Sequence, residues 1–248
     1  MDDLYAELRL LKDLGFTELD LTRGSATVAE TKSTDAPVAI ADAGAAARFL
    51  EGLPEAADIL ALSSMAELDQ VARNCVRCRL AKGRTQVVVG SGNRNAELMF
   101  VGEAPGRDED LEGYPFVGRA GKLLTDIIGA MQLRRDDVYI ANVIKCRPPE
   151  NRNPEPDELA ACRPWIDRQI ELIAPRVIVT LGKFAAQSLL GRGVAISAVR
   201  GEWHSYGAIR VMPTYHPAYL LRTPSAKKDV WKDMQKVMGE LGIAVPEK

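Results

Sequence analysis

Cys75, Cys78, Cys146 and Cys162 are the whole thiol complement of this 248-residue chain, and their spacing suits one shared site. Cys75 and Cys78 form a C-x-x-C pair, close enough for two thiolates to reach a common metal from a single turn. Cys146 and Cys162 enclose fifteen residues, so the fold has to carry them to the first pair, and a four-sulfur site would tie two distant segments together. Disulfides are the competing use. The opening residues, MDDLYAEL, show no basic region, apolar run or cleavage site. That predicts a cytoplasmic, reducing setting in which structural disulfides are rare. A redox C-x-x-C usually encloses an apolar or aromatic residue at a helix start, whereas Val76-Arg77 lies in charged surroundings. Spacing alone leaves zinc and an iron–sulfur cluster open, although the wide second pair is not a zinc knuckle and favours the cluster.

A second group of residues converges only if the chain folds as alternating strands and helices. Apolar, β-rich runs occupy residues 97–101, 137–141, 176–181 and 209–212, with a further strand expected at 86–89. Helical patterns fall at 120–132, 155–173, 183–190 and 226–241. This alternation predicts an α/β fold of three layers, α/β/α, around a central, mainly parallel four-stranded sheet. Ligands of such sheets bind beyond the carboxyl ends of the strands. There the sequence delivers Gly102-Glu103-Ala104-Pro105-Gly106, Asn142, Gly182 and Thr214-Tyr215-His216-Pro217. The glycine loop offers backbone N–H groups to an acceptor oxygen or anion. Phe116 can cover a flat ligand, and the Asn142 amide presents one acceptor and two donors, which matches the edge of a pyrimidine such as uracil. A neutral His216 can donate to an oxygen that gains charge in a transition state.

Upstream, residues 1–21 have the periodicity of a short amphipathic helix, and 22–55, rich in Ala, Thr, Ser and Asp, read as a disordered linker. Residues 64–80 read as a helix carrying the first cysteine pair. Two parts are therefore expected: an extension over 1–70 and a main domain over 71–248. No apolar run approaches the length of a membrane span. The net charge of −2 lends no global support to polyanion binding, but Arg73, Arg77, Arg79, Lys82 and Arg84 form a local basic run without an acid.

From about residue 72 to 239 the sequence resembles the family 4 uracil-DNA glycosylases. The resemblance rests on Gly102–Gly106 followed by Glu109-Asp110, on Phe116, on Asn142 with Lys145-Cys146-Arg147-Pro148-Pro149, and on His216-Pro217-Ala218-Tyr219-Leu220-Leu221-Arg222, together with the cysteine spacing. It implies a [4Fe–4S] cluster on Cys75, Cys78, Cys146 and Cys162, with a structural task. It also implies a DNA-repair enzyme that flips deoxyuridine out of DNA, cuts its glycosidic bond and leaves an abasic site. Phe116 would stack on the base and Asn142 would read its edge. His216 and the backbone of Gly102, Glu103 and Ala104 would serve the ring oxygens. Leu220 would be the apolar wedge in the vacated stack, and Arg222, with the basic run, would contact phosphates. The expected partner is uracil-containing DNA, bound by a monomer.

The related family 1 enzymes carry an aspartate at the third position of the first loop, where this chain has Ala104. Glu109 is therefore the expected water-orienting carboxylate, ahead of Asp110 and Glu103. The rival from another functional class is a non-catalytic uracil-DNA-binding or polymerase-associated metal-cluster module.

Overall fold

The structure, a computed structural model, describes residues 55–191 and 193–246. The helix expected over 1–21 and nearly all of the linker expected over 22–55 lie outside the described residues. The chain begins with two short helices, α1 (Ala56–Leu60) and α2 (Met65–Arg73), the second capped by the Ser64 hydroxyl. Next come β1 (Ser91–Gly92), β2 (Leu98–Gly102), α3 (Arg107–Glu112), α4 (Arg119–Ala130) and β3 (Tyr139–Asn142). They are followed by α5 (Pro156–Ile173), β4 (Val177–Leu181), α6 (Lys183–Leu190) and α7 (Ile196–Val199). The order closes with β5 (His204–Tyr206), β6 (Ile209–Thr214), α8 (Pro217–Arg222) and α9 (Lys227–Leu241).

The six strands lie in the order β1-β3-β2-β4-β6-β5. The central four are parallel, and the two short edge strands run antiparallel to them. The α/β/α fold class is thus as the sequence predicts, with a six-stranded rather than a four-stranded sheet. β5 escapes sequence reading because three residues without apolar alternation carry no strand signal. Residues 86–89 are apolar but form no strand. Val88 N–H reaches only the Lys145 carbonyl, at 2.8 Å, and the edge position is taken by β1. The helix expected over 64–80 stops at Arg73, so both cysteines of the first pair sit on the loop that follows.

All residues of β2, β3 and β4 are buried, as parallel strands covered on both faces require. Met99, Val101, Tyr139, Ala141 and Ile178 point into one core, with Trp165, Ile166 and Ile170 of α5. That core also takes in Ile59, Leu62, Met65 and Leu68, upstream of residue 71. Their alternates, Leu98, Phe100, Ile140, Val177 and Val179, point into a second core with α4, α8 and α9. Among the described residues no helix is long and apolar enough to cross a membrane.

Register brings the strand ends level: Gly102 pairs with Asn142, and Leu181 with Thr214. From β2 the chain crosses to β3 on one side, and from β4 to β6 on the other. The crevice beyond β2 and β4 is therefore the topological switch point of the sheet. Behind it, buried Asp233 of α9 accepts from the Thr214 hydroxyl at 2.6 Å and pairs with Arg200 at 2.5 Å, which fixes the exit of β6. Asp233→Ala strands the buried Thr214 hydroxyl and the part-buried Arg200 guanidinium and should cost ~3–5 kcal/mol. A fall in apparent melting temperature of ~10 °C should follow in a thermal scan.

Candidate active site

The crevice is built where four strands end. Gly102 is the last residue of β2, and a Cβ there would overlap both the Asn142 Oδ1 and the Phe116 ring. The missing side chain therefore lets the aromatic ring and the amide meet on one floor. Asn142 closes β3 and is 1% exposed, and its Oδ1 is buried with no hydrogen-bond partner. Such an orphan acceptor is costly. It marks a place where a ligand donor belongs.

Phe116 holds a left-handed backbone, φ 54°, which a bulky residue rarely adopts. Two contacts impose it. Glu109 Oε1 accepts from the N–H groups of Val117 and Gly118, both at 3.0 Å. Gly121, in the first turn of α4, lies so near the Phe116 carbonyl that no side chain fits. Glu109 Oε2 meanwhile accepts from Gly106 N–H at 3.0 Å, closing the start of α3. The acidic stretch is thus a clamp between the glycine loop and the Phe116 turn. Asp110 is buried as well, and its Oδ1 accepts from Thr85 and Gln86 N–H.

His216 caps α8: its Nδ1 accepts from Ala218 N–H at 3.1 Å. Nδ1 therefore carries no proton, and the neutral ring bears its N–H on Nε2. Burial, helped by the charge of Arg222 and opposed by Glu109, pulls its pKa down to about 4. The imidazole and Phe116 ring centroids are 5.6 Å apart. Gly182, at φ +88°, gives way beneath the His216 Cβ. Glu103 has no charged partner at the rim, and burial raises its pKa to about 7.

Helix α8 turns Leu220, the side chain expected as the wedge, away from solvent. Leu220 is 1% exposed and belongs to the second core; entering a DNA stack would require unpacking it. Leu221 is 45% and Tyr219 36% exposed. Spacing from His216 cannot reveal this, since two adjacent leucines become distinguishable only once the helix is turned. Arg222, beside them, is exposed.

The four cysteines come together in one pocket, with Arg84, Lys145 and Trp165 among its walls, and no disulfide joins them. Among the described residues no three His, Cys, Asp or Glu side chains are grouped to hold a single metal ion. Four thiols lining one space form a donor set that a cysteine-ligated metal or iron–sulfur cluster requires. Backbone Lys145 N–H donates to Cys162 Sγ at 3.3 Å, and Arg84 to Cys146 Sγ at 3.4 Å. Burial pushes the Cys146 thiol up to about 11 and Cys162 up to about 12, so thiolates there require a bound cation. The basic run is mostly spoken for. Arg79 pairs with Glu155, Asp157 and Glu158, Arg77 donates to the Ala161 carbonyl, and Arg84 donates to Cys75 O. Only Arg73 and Lys82 of that run stand exposed without a hydrogen-bonded role in the loop.

Sequence reading misses Lys145, although it lies inside a quoted motif. It is wholly buried and donates to the Asn142 carbonyl at 2.7 Å and to Gln169 Oε1. Gln169 in turn donates to the Val89 carbonyl and the Tyr139 hydroxyl. A lone lysine gives no sign of such burial, since lysines are almost never fully buried.

Residues 89–235 match the family model described as the uracil DNA glycosylase superfamily, and the chain belongs to that superfamily. The type-4 uracil-DNA glycosylase of Archaeoglobus fulgidus is 48% identical over 188 residues, covering 71% of this chain and 94% of that protein. Its counterpart in Saccharolobus solfataricus is 49% identical over 185 residues, 70% of this chain and 86% of the other. That of Thermotoga maritima is 49% identical over 170 residues, 66% and 88%. Within the superfamily, the chain is a member of the type-4 family.

Two measurements check this geometry. Gly102→Ala should displace the Asn142 amide and the Phe116 ring together, lowering kcat/KM on uracil-containing DNA by at least ~100-fold with little change in far-UV circular dichroism. Glu103 supplies a pH test. Its folded pKa is raised from 4.5 to about 7, so the folded state holds the proton more tightly. Its contribution to stability is full below about pH 4.5 and falls as pH rises toward 7, by about 2 kcal/mol. Melting curves between pH 4.5 and 8 should show this decline in the wild type and lack it in Glu103→Gln.

Proposed function

We propose that this protein hydrolyses the N-glycosidic bond of deoxyuridine in DNA, releasing free uracil and leaving an abasic site. The observation that carries the reading is the unpartnered, buried Asn142 Oδ1 on the same floor as the Phe116 ring, whose centroid is 5.6 Å from that of the neutral His216. Uracil offers an N3–H flanked by two carbonyl oxygens. Asn142 Oδ1 takes the N3–H, its Nδ2 faces O4, and His216 Nε2–H faces O2, with the backbone N–H groups of Glu103 and Ala104 as further donors. Phe116 covers the ring plane. A base so held has been pulled from the stack.

As the bond breaks, negative charge moves onto the uracil oxygens. A histidine that is neutral at pH 7 donates to that charge without giving up its proton, and a fixed donor counts most where water is excluded. The sugar becomes oxocarbenium-like, and a carboxylate on the Glu109–Glu103 side stabilises it and orients the water. Glu109 remains the first choice. Its Oε2 accepts only one backbone bond and so keeps a lone pair for water, while its other contacts aim Phe116. Asp110 is turned to the Thr85 and Gln86 amides, which makes it the weakest choice. Leu221, not Leu220, is the side chain of α8 that enters the vacated stack, with Tyr219 beside it and Arg222 on a phosphate.

Cys75, Cys78, Cys146 and Cys162 hold a [4Fe–4S] cluster. Its four protein ligands leave no coordination position for substrate, and what it supplies is a tie between the loop after α2, the segment after β3 and helix α5. The domain that does this work is read as the 71–248 part together with the upstream helices α1 and α2 that its core takes in, acting as a cytoplasmic monomer. A non-catalytic binding module is the reading to be excluded.

A uracil-containing oligonucleotide treated with the protein and then alkali should yield a strand break at the uracil, with free uracil in solution. Stable binding without release would mean a module and not an enzyme. Asn142→Ala should lower kcat by ~100-fold or more, and Glu109→Gln with unchanged turnover would remove Glu109 from its role. Leu221→Ala should weaken turnover on duplex DNA more than on single strands. Leu220→Ala should instead cost ~2–5 kcal/mol of stability, read as a lower melting temperature.

A further inference from the structure

One residue in the wall of the cysteine pocket carries a polar group that the fold leaves unsatisfied. Trp165 is 1% exposed and forms part of the pocket wall, and its indole Nε1–H is buried with no hydrogen-bond partner. It stands three residues after Cys162 on α5, so the two side chains share a helix face. A buried N–H without an acceptor costs ~1–3 kcal/mol, and tryptophans in cores usually find a partner. A phenylalanine would fill the wall with no such cost. Of the other polar neighbours of the pocket, two already donate to sulfur, Lys145 N–H to Cys162 and Arg84 to Cys146, and Arg77 donates to the Ala161 carbonyl.

We propose that the Trp165 indole N–H is a hydrogen-bond donor to a sulfur of the bound cluster, either a bridging sulfide or a cysteine thiolate. The inference rests on the [4Fe–4S] reading. Trp165 is then the third N–H donor around the sulfurs, and it comes from the same helix as Cys162. Such a bond favours the more negatively charged, reduced cluster and also lowers the basicity of the sulfur it touches. Trp165 is therefore a positioning and tuning residue, which touches neither uracil nor the glycosidic bond.

The test compares wild-type protein, purified without oxygen, with Trp165→Phe and with Trp165 replaced by β-(3-benzothienyl)alanine. The second analogue keeps the bicyclic shape and puts sulfur where the N–H was, so it carries the test even where phenylalanine leaves a cavity that unfolds the domain. Iron and acid-labile sulfide content, the visible absorbance band, the reduction potential by protein-film voltammetry and the rate of iron loss to a chelator are measured on each. The expected wild-type content is ~4 irons and ~4 sulfides per chain. Both variants should then hold iron with a potential shifted to more negative values and lose it ~10-fold faster. Loaded variants with unchanged potential and unchanged iron loss would overturn the Trp165 assignment and leave the cluster standing. A wild-type protein that binds zinc, or no iron, would overturn the cluster reading and the Trp165 assignment with it.

Discussion

A lysine ammonium with essentially no exposure sits at the centre of this molecule. Lys145 is 2% exposed, and burial lowers its pKa to about 8. A buried cation is tolerated only with close partners, and those it has are the Asn142 carbonyl and the Gln169 side chain. Its own backbone N–H reaches Cys162 Sγ, and its carbonyl receives Val88 N–H. Five consecutive residues, 142–146, thus carry the orphan Asn142 amide of the crevice, two further rungs to the neighbouring strand and one of the four thiols of the cysteine pocket. The rungs are Val143 N–H to the Gly102 carbonyl at 3.0 Å and Ile144 N–H to the Glu103 carbonyl at 2.9 Å. They extend the β2–β3 pairing past the strand ends and set the glycine loop against Asn142. Little in this stretch can move alone.

The same economy recurs around the rim. Each functional side chain is held by a group whose own hydrogen bonds are used internally. Glu109 fixes the turn that carries Phe116, Asp233 fixes the exit of β6 before His216, and Lys145 fixes the exit of β3 at Asn142. Preorganisation of this kind lets neutral donors stabilise a leaving anion without reorganising at the moment of reaction. It also accounts for the left-handed Phe116 backbone, a local cost borne by a clamp of three amide bonds to one carboxylate.

The sequence made much of this legible. Parallel strands announce themselves as apolar runs, most clearly the three that are wholly buried, and loops at their carboxyl ends can be placed at one rim from topology alone. The four cysteines meet as their spacing suggests. What stayed hidden depends on which way a side chain turns. Leu220 and Leu221 are alike in sequence and opposite in space, one in the core and one in solvent. Glu109 looks like part of a solvated acidic run but has its oxygens against backbone amides. The arginines of the basic run look free for phosphate, yet Arg79 is taken up by three carboxylates and Arg84 by the cysteine loop. Burial of Lys145, Trp165 and Asp233 likewise has no signature in composition or periodicity, because each is a single residue made tolerable by partners far along the chain.

If the cysteine site exists to keep the segment after β3 in register, its effect should be visible in the backbone that reads the base. Hydrogen exchange at the Val143 and Ile144 amides, followed in the iron-loaded protein and after gentle iron removal, tests this directly. Both amides should lose protection together on removal, while amides of β4 in the sheet interior keep theirs. Unchanged protection at Val143 and Ile144 in protein shown to have lost its iron would contradict the account.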